Sequence, residues 1–81
     1  MPKERILIVD DEKNIVSSLT GILSDEGYEV SITGDGIEAL EIIQTDPPDL
    51  VLLDIWLPGM DGIEVLKTVK AYHPEIEVLI M

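Results

Sequence analysis

Four short apolar runs, Ile6 to Val9, Val30 with Ile32, Leu50 to Leu53 and Val78 to Met81, recur along 81 residues with stretches of helical periodicity between them. That alternation predicts a β-α-β-α-β-α-β chain. Right-handed crossovers then favour a doubly wound parallel sheet of order 2-1-3-4, with ligands beyond the carboxyl ends of strands 1 and 3, where the winding reverses. The first, third and fourth runs are continuously apolar, as expected of strands covered on both faces. The second, Tyr28 to Thr33, alternates apolar with polar residues and is placed at an edge.

The intervening stretches carry helix signals of different quality. Ile15, Val16, Leu19, Ile22 and Leu23 form one stripe of a helix that ends at Gly27. Ala39, Leu40 and Ile43 form a shorter stripe, which Pro47 and Pro48 terminate because neither can donate a backbone hydrogen bond. Val65, Leu66, Val69 and Tyr72 mark a third helix that stops before Pro74.

Composition sets the outer limits. A chain of 81 residues buries only about 60–65% of the surface its unfolded form exposes, so a single domain with one modest core is expected. Ile, Leu and Val supply 29 residues and Phe none, an aliphatic and globular balance. Seventeen acidic against five basic residues give a formal charge of −12, which argues against direct nucleic-acid binding because phosphate contacts need clustered Lys and Arg. No cysteine is present, so neither a disulfide framework nor a thiolate metal site is available, in keeping with a cytoplasmic setting. The opening Met1, Pro2, Lys3, Glu4, Arg5 leads into only four apolar residues, too few for a signal peptide or a membrane span.

The chemistry-bearing residues are carboxylates. Asp10 and Asp11 follow the first strand and Asp54 follows the third, so neighbouring strands are expected to bring three acids to the switch point. Their mutual repulsion calls for a cation, and an all-oxygen donor set favours Mg2+ over zinc. Such a site can neutralise phosphoryl oxygens while a carboxylate attacks phosphorus, which makes Asp54 a candidate covalent acceptor. Gly34, Gly36, Pro58, Gly59 and Gly62 permit tight loops around it.

Four segments in this order, Ile6-Leu7-Ile8-Val9-Asp10-Asp11-Glu12, Gly27-Tyr28-Glu29-Val30, Asp49-Leu50-Val51-Leu52-Leu53-Asp54 and Leu57-Pro58-Gly59-Met60-Asp61-Gly62, resemble the receiver domain of two-component response regulators. The resemblance covers essentially residues 1–81 and looks nearest to receivers of the nitrogen-regulation type. It implies a flavodoxin-like α/β fold, incomplete here, with the fifth strand and last two helices absent. It also implies that Asp54 accepts a phosphoryl group from a sensor histidine kinase, and that Asp11, Asp54 and the backbone carbonyl of Trp56 ligate Mg2+, with Asp10 assisting indirectly. An output domain, normally C-terminal and transcriptional, would read the change. The family pattern further calls for a hydroxyl at the end of strand 4 and a lysine at the end of strand 5. Neither is in these 81 residues, since Lys3, Lys13, Lys67 and Lys70 fall away from strand ends.

Other readings remain for particular residues. Asp10 and Asp11 can simply cap the first helix. Trp56 reads as a partly buried aromatic closing a loop, His73 as a surface residue, and Asp61 as the cap of the third helix. A phosphohydrolase with an aspartyl nucleophile would want a general acid near Asp54, but Ile55 and Trp56 follow it. The rival to a phosphoacceptor is an interaction fragment: the fourth run is as apolar as a central strand, so left at an edge it would drive a homodimer or swapped oligomer. The same run implies that the chain is part of a longer domain.

Overall fold

A computed structural model describes residues 4–57 and 61–81. The elements are β1 (Arg5–Val9), α1 (Lys13–Asp25), β2 (Glu29–Thr33), α2 (Gly36–Thr45), β3 (Leu50–Leu53), α3 (Gly62–Tyr72) and β4 (Glu77–Ile80), in the predicted order and of the predicted types. All pairings are parallel and the sheet order is β2-β1-β3-β4.

Local chemistry accounts for the helix boundaries. Asp35 and Asp61 cap α2 and α3, their Oδ1 atoms accepting from Ile37 N–H at 2.9 Å and Ile63 N–H at 2.8 Å. Helix α1 ends in paired bonds from Gly27 N–H to the Ser24 carbonyl and from Tyr28 N–H to the Leu23 carbonyl, at 3.0 and 3.1 Å. That arrangement needs a left-handed residue after the cap, and Gly27 supplies it with φ 93°. Helices α2 and α3 stop at Asp46 and His73, before the prolines that cannot continue them.

Strand alternation sorts the apolar side chains onto two faces, so the core is divided by the sheet rather than single. Leu7 and Val9 of β1 with Val51 and Leu53 of β3 face Ala39, Ile43, Val65 and Val69 of α2 and α3. Ile6 and Ile8 face Val16, Leu19 and Leu23 of α1, with Leu50 and Leu52 at the margin. One helix on this second side cannot span four strands. As expected of an apolar strand left at an edge, β4 exposes Leu79 and Ile80, and on β3 Leu50 and Leu52 are only half-buried on this side, short of the full coverage their run suggests. Ile15, Ile22 and Tyr72, read as parts of buried stripes, also lie exposed because they flank the contact line rather than point into it. Half-buried Val30 and exposed Ile32 are in keeping with the edge position of β2.

Candidate functional site

The sheet ladder continues one step past the strands and places the acids. Asp10 N–H donates to the Thr33 carbonyl and Asp54 N–H to the Val9 carbonyl, each at 2.9 Å, so both backbones are held at adjacent carboxyl ends. Carboxylate oxygens of Asp10, Asp11 and Asp54 then lie within 4.8 Å of one another. Of the three, Asp10 is buried, with 5% exposure, Asp54 is half-buried and Asp11 is exposed.

Burial of Asp10 penalises its charge and pushes its pKa above the ordinary carboxylate value. The Glu12 N–H, donating to Asp10 Oδ1 at 2.9 Å, opposes that shift, while Asp54 and Asp11 reinforce it. Among the described residues no Lys or Arg forms an ion pair with the cluster. Three convergent oxygen donors, one of them buried and made costly to ionise, fit a hard cation better than a thiophilic one. The capping alternative for Asp10 and Asp11 does not hold, since the cap of α1 is Glu12, which accepts from Asn14 N–H. Asp10 instead closes a two-residue turn on Glu12 and Asp11 projects into solvent.

Asp54 Oδ1 accepts the Trp56 N–H at 2.9 Å, which restrains the carboxylate and draws the Trp56 backbone around it. The indole is 82% exposed, correcting the expectation of a partly buried ring. Trp56 lies beyond the end of β3, where the sheet no longer offers a surface to pack on. His73, expected at the surface, is half-buried at the C-cap of α3 and sits 3.6 Å from Glu75. Pro58, Gly59 and Met60 of the loop motif lie outside the described residues.

Two clefts flank the acids. One, of about 740 Å³, runs along α1 past Val16, Ser17, Thr20 and Ile32 to Asp10 and Asp11. The other, of about 650 Å³, lies between Asp11, Ile55, Trp56, Leu57, Asp61 and Ile63. Asp11 stands between them. Sequence reasoning did not single out Thr33, which is buried and clips Asp10 in place through its carbonyl, nor the closeness with which Gly62 meets the Asp54 backbone. The apolar alternation of β2, which ends at Thr33, was the available signal for the first, and nothing local signals the second.

Comparison with known proteins agrees with this arrangement. Residues 6–81 match the family described as the response regulator receiver domain. Sporulation initiation phosphotransferase F of Bacillus subtilis is 47% identical over all 81 residues, which span 65% of its length. DNA-binding response regulator MtrA of Mycobacterium leprae is 45% identical over 69 residues, 85% of this chain and 31% of that protein. The chain thus spans less than two thirds of the length of these relatives. Among solved structures, the receiver domain of NtrX from Brucella abortus superposes with a TM-score of 0.86 at 47% identity, covering 93% of this chain and 64% of that one. A CheY-like receiver domain protein from Methanospirillum hungatei gives 0.94 at 39% identity, covering 98% and 63%. The order β2-β1-β3-β4, the acids at the ends of β1 and β3, and a match running from Ile6 to Met81 lead to one conclusion: the chain belongs to the response regulator receiver domain family.

Proposed function

We propose that this chain accepts a phosphoryl group from the phosphohistidine of a sensor histidine kinase onto Asp54 and so controls an output domain in the cytoplasm. The observation that carries the reading is the convergence of Asp10, Asp11 and Asp54 oxygens within 4.8 Å at the carboxyl ends of adjacent strands. In the transfer a carboxylate oxygen of Asp54 forms a bond to phosphorus as the phosphorus–nitrogen bond breaks, and the imidazole leaves with the electron pair. The Trp56 N–H holds Oδ1 of the acceptor, and the second oxygen would be the one that attacks. Asp11, Asp54 and the Trp56 backbone carbonyl would hold Mg2+, with Asp10 assisting through its hydrogen bonds. The ion supplies positive charge against the phosphoryl oxygens. Asp10 contributes charge without solvent access, which raises the demand for a cation at that point. The chain is a stoichiometric acceptor rather than a turnover catalyst, assisting at most its own phosphorylation and dephosphorylation.

Phosphorylation adds negative charge at the sheet end and shifts the partners the surface can take. The name of MtrA, a DNA-binding response regulator, supports a transcriptional output, carried by sequence beyond the span matched here. The test is intact mass after incubation with Mg2+ and acetyl phosphate. One added phosphoryl group is expected, lost in Asp54→Ala and with a chelator; absence of the gain, or its persistence in Asp54→Ala, overturns the reading.

A second reading draws on β4, which forms one edge of the sheet and exposes Leu79 and Ile80, with Met81 exposed just past it. An apolar edge is a template for pairing with a second copy. Light scattering decides it: a concentration-dependent rise in mass that Leu79→Lys abolishes supports self-association, and a monomer across the range excludes it.

A further inference from the structure

Helix α3 begins hard against the Asp54–Ile55 segment that follows β3. A Cβ built on Gly62 would lie 2.4 Å from the Ile55 Cα and 2.7 Å from the Asp54 carbonyl oxygen, both backbone atoms with nowhere to swing. Gly62 N–H donates to the Ile55 carbonyl at 3.2 Å, so the approach is a bonded contact between the first turn of α3 and the acceptor segment. The backbone of Gly62 is not left-handed, so any residue can adopt it; glycine is required there for space alone. On the other flank, a Cβ on Gly34 would meet the Asp11 Cβ at 3.3 Å and its Cα at 3.4 Å, a tighter contact than usual but one that a small shift relieves.

We propose that Gly62 and Gly34 are positioning residues that brace the Asp54 and Asp11 backbones from opposite sides and thereby set the separation of the carboxylates for a divalent cation. Nothing in the contact is conformational preference. A methyl group at position 62 must push α3 or the Asp54–Ile55 segment by about half an ångström or more, and the cluster depends on oxygens brought within 4.8 Å. Displacing groups that orient ligands typically costs on the order of tenfold or more in metal affinity. The smaller overlap at Gly34 predicts the smaller loss.

The inference rests on the proposed cation site, and the experiment separates the two. Mg2+ alone is titrated into the wild-type chain, Gly62→Ala, Gly34→Ala and Ile43→Ala, with the fluorescence of Trp56 as the readout and circular dichroism to fix the folded fraction. Trp56 is the single tryptophan and its backbone N–H donates to Asp54 Oδ1. Ile43 is buried between α2 and the sheet at the end away from the acids, so Ile43→Ala lowers stability without touching them. Wild type and Ile43→Ala should bind alike, Gly34→Ala a few-fold more weakly and Gly62→Ala at least tenfold more weakly. Wild-type affinity in folded Gly62→Ala overturns the inference. If Gly62→Ala does not fold, the comparison of Gly34→Ala with Ile43→Ala decides it, equal affinities counting against. Absence of saturable Mg2+ binding by the wild type refutes the cation site itself.

Discussion

Asp10 is a carboxylate held away from water beside two others, and its environment sets a sign for the pH dependence of folding. Its pKa in the folded chain lies above the ordinary value, chiefly through burial. Well below the ordinary value both folded and unfolded forms are protonated and Asp10 favours neither. Between the ordinary and the raised value, the folded form binds a proton that the unfolded form has released. The stability contributed by this group therefore falls as pH rises through that window and stays low above it. Asp10→Asn keeps an acceptor for the Glu12 N–H and removes the charge. Without Mg2+ it should be more stable than wild type at neutral pH by about 1 kcal/mol, with the gap closing as pH falls through the carboxylate range. Urea titrations at pH 4 to 8 check this, and a gap independent of pH would refute the electrostatic account.

At the scale of elements, α1 poses the same substitution twice with opposite expected signs. Gly21 lies within the helix with nothing within 4 Å of an added Cβ, so Gly21→Ala should stabilise by about 0.5–1 kcal/mol through reduced freedom of the unfolded chain. Gly27 also has open space, but its φ of 93° is the left-handed value on which the helix end depends, so Gly27→Ala should destabilise by about 1–2 kcal/mol. Denaturation midpoints of the two variants test the contrast directly. Helix types and most helix ends are legible in the sequence itself, because the 3.6-residue stripe, the Asp61 cap and the glycine and proline stops are local signals, whereas the cap of α1 is Glu12 and not Asp10 or Asp11. Coverage is not: Ile15 and Ile22 belong to the stripe by spacing yet face solvent, since α1 meets the sheet through little more than its own Val16, Leu19 and Leu23.

For the molecule as a whole, a charge of −12 on 81 residues means that compaction works against self-repulsion. Raising NaCl should raise the melting temperature by screening, whether or not the carboxylate cluster is intact. Mg2+ should do more than NaCl at matched ionic strength. At about one hundred times its dissociation constant the added stability should approach about 2.7 kcal/mol, and Asp54→Ala should reduce the response to that of salt alone. Paired thermal melts in NaCl and MgCl2 measure the difference. Equal responses to the two salts would mean that the acids act only as part of a diffuse negative surface. None of the helices in the described residues is long and apolar enough to cross a membrane.

By itself the sequence determined the number, kind and order of the elements, the parallel sheet 2-1-3-4, the Asp61 cap and the glycine and proline stops, because periodicity and capping act over a few neighbouring positions. The Asp10, Asp11 and Asp54 motif was visible as spacing, and family resemblance tied it to a site. Tertiary structure alone decided how close those acids come, that Asp10 and not Asp11 is the buried one, and that Trp56 stands in solvent. It also decided that Gly62 must lack a side chain. Each of these depends on which strands are neighbours and on which helix reaches which strand, contacts between segments far apart in the chain whose distances no local pattern encodes.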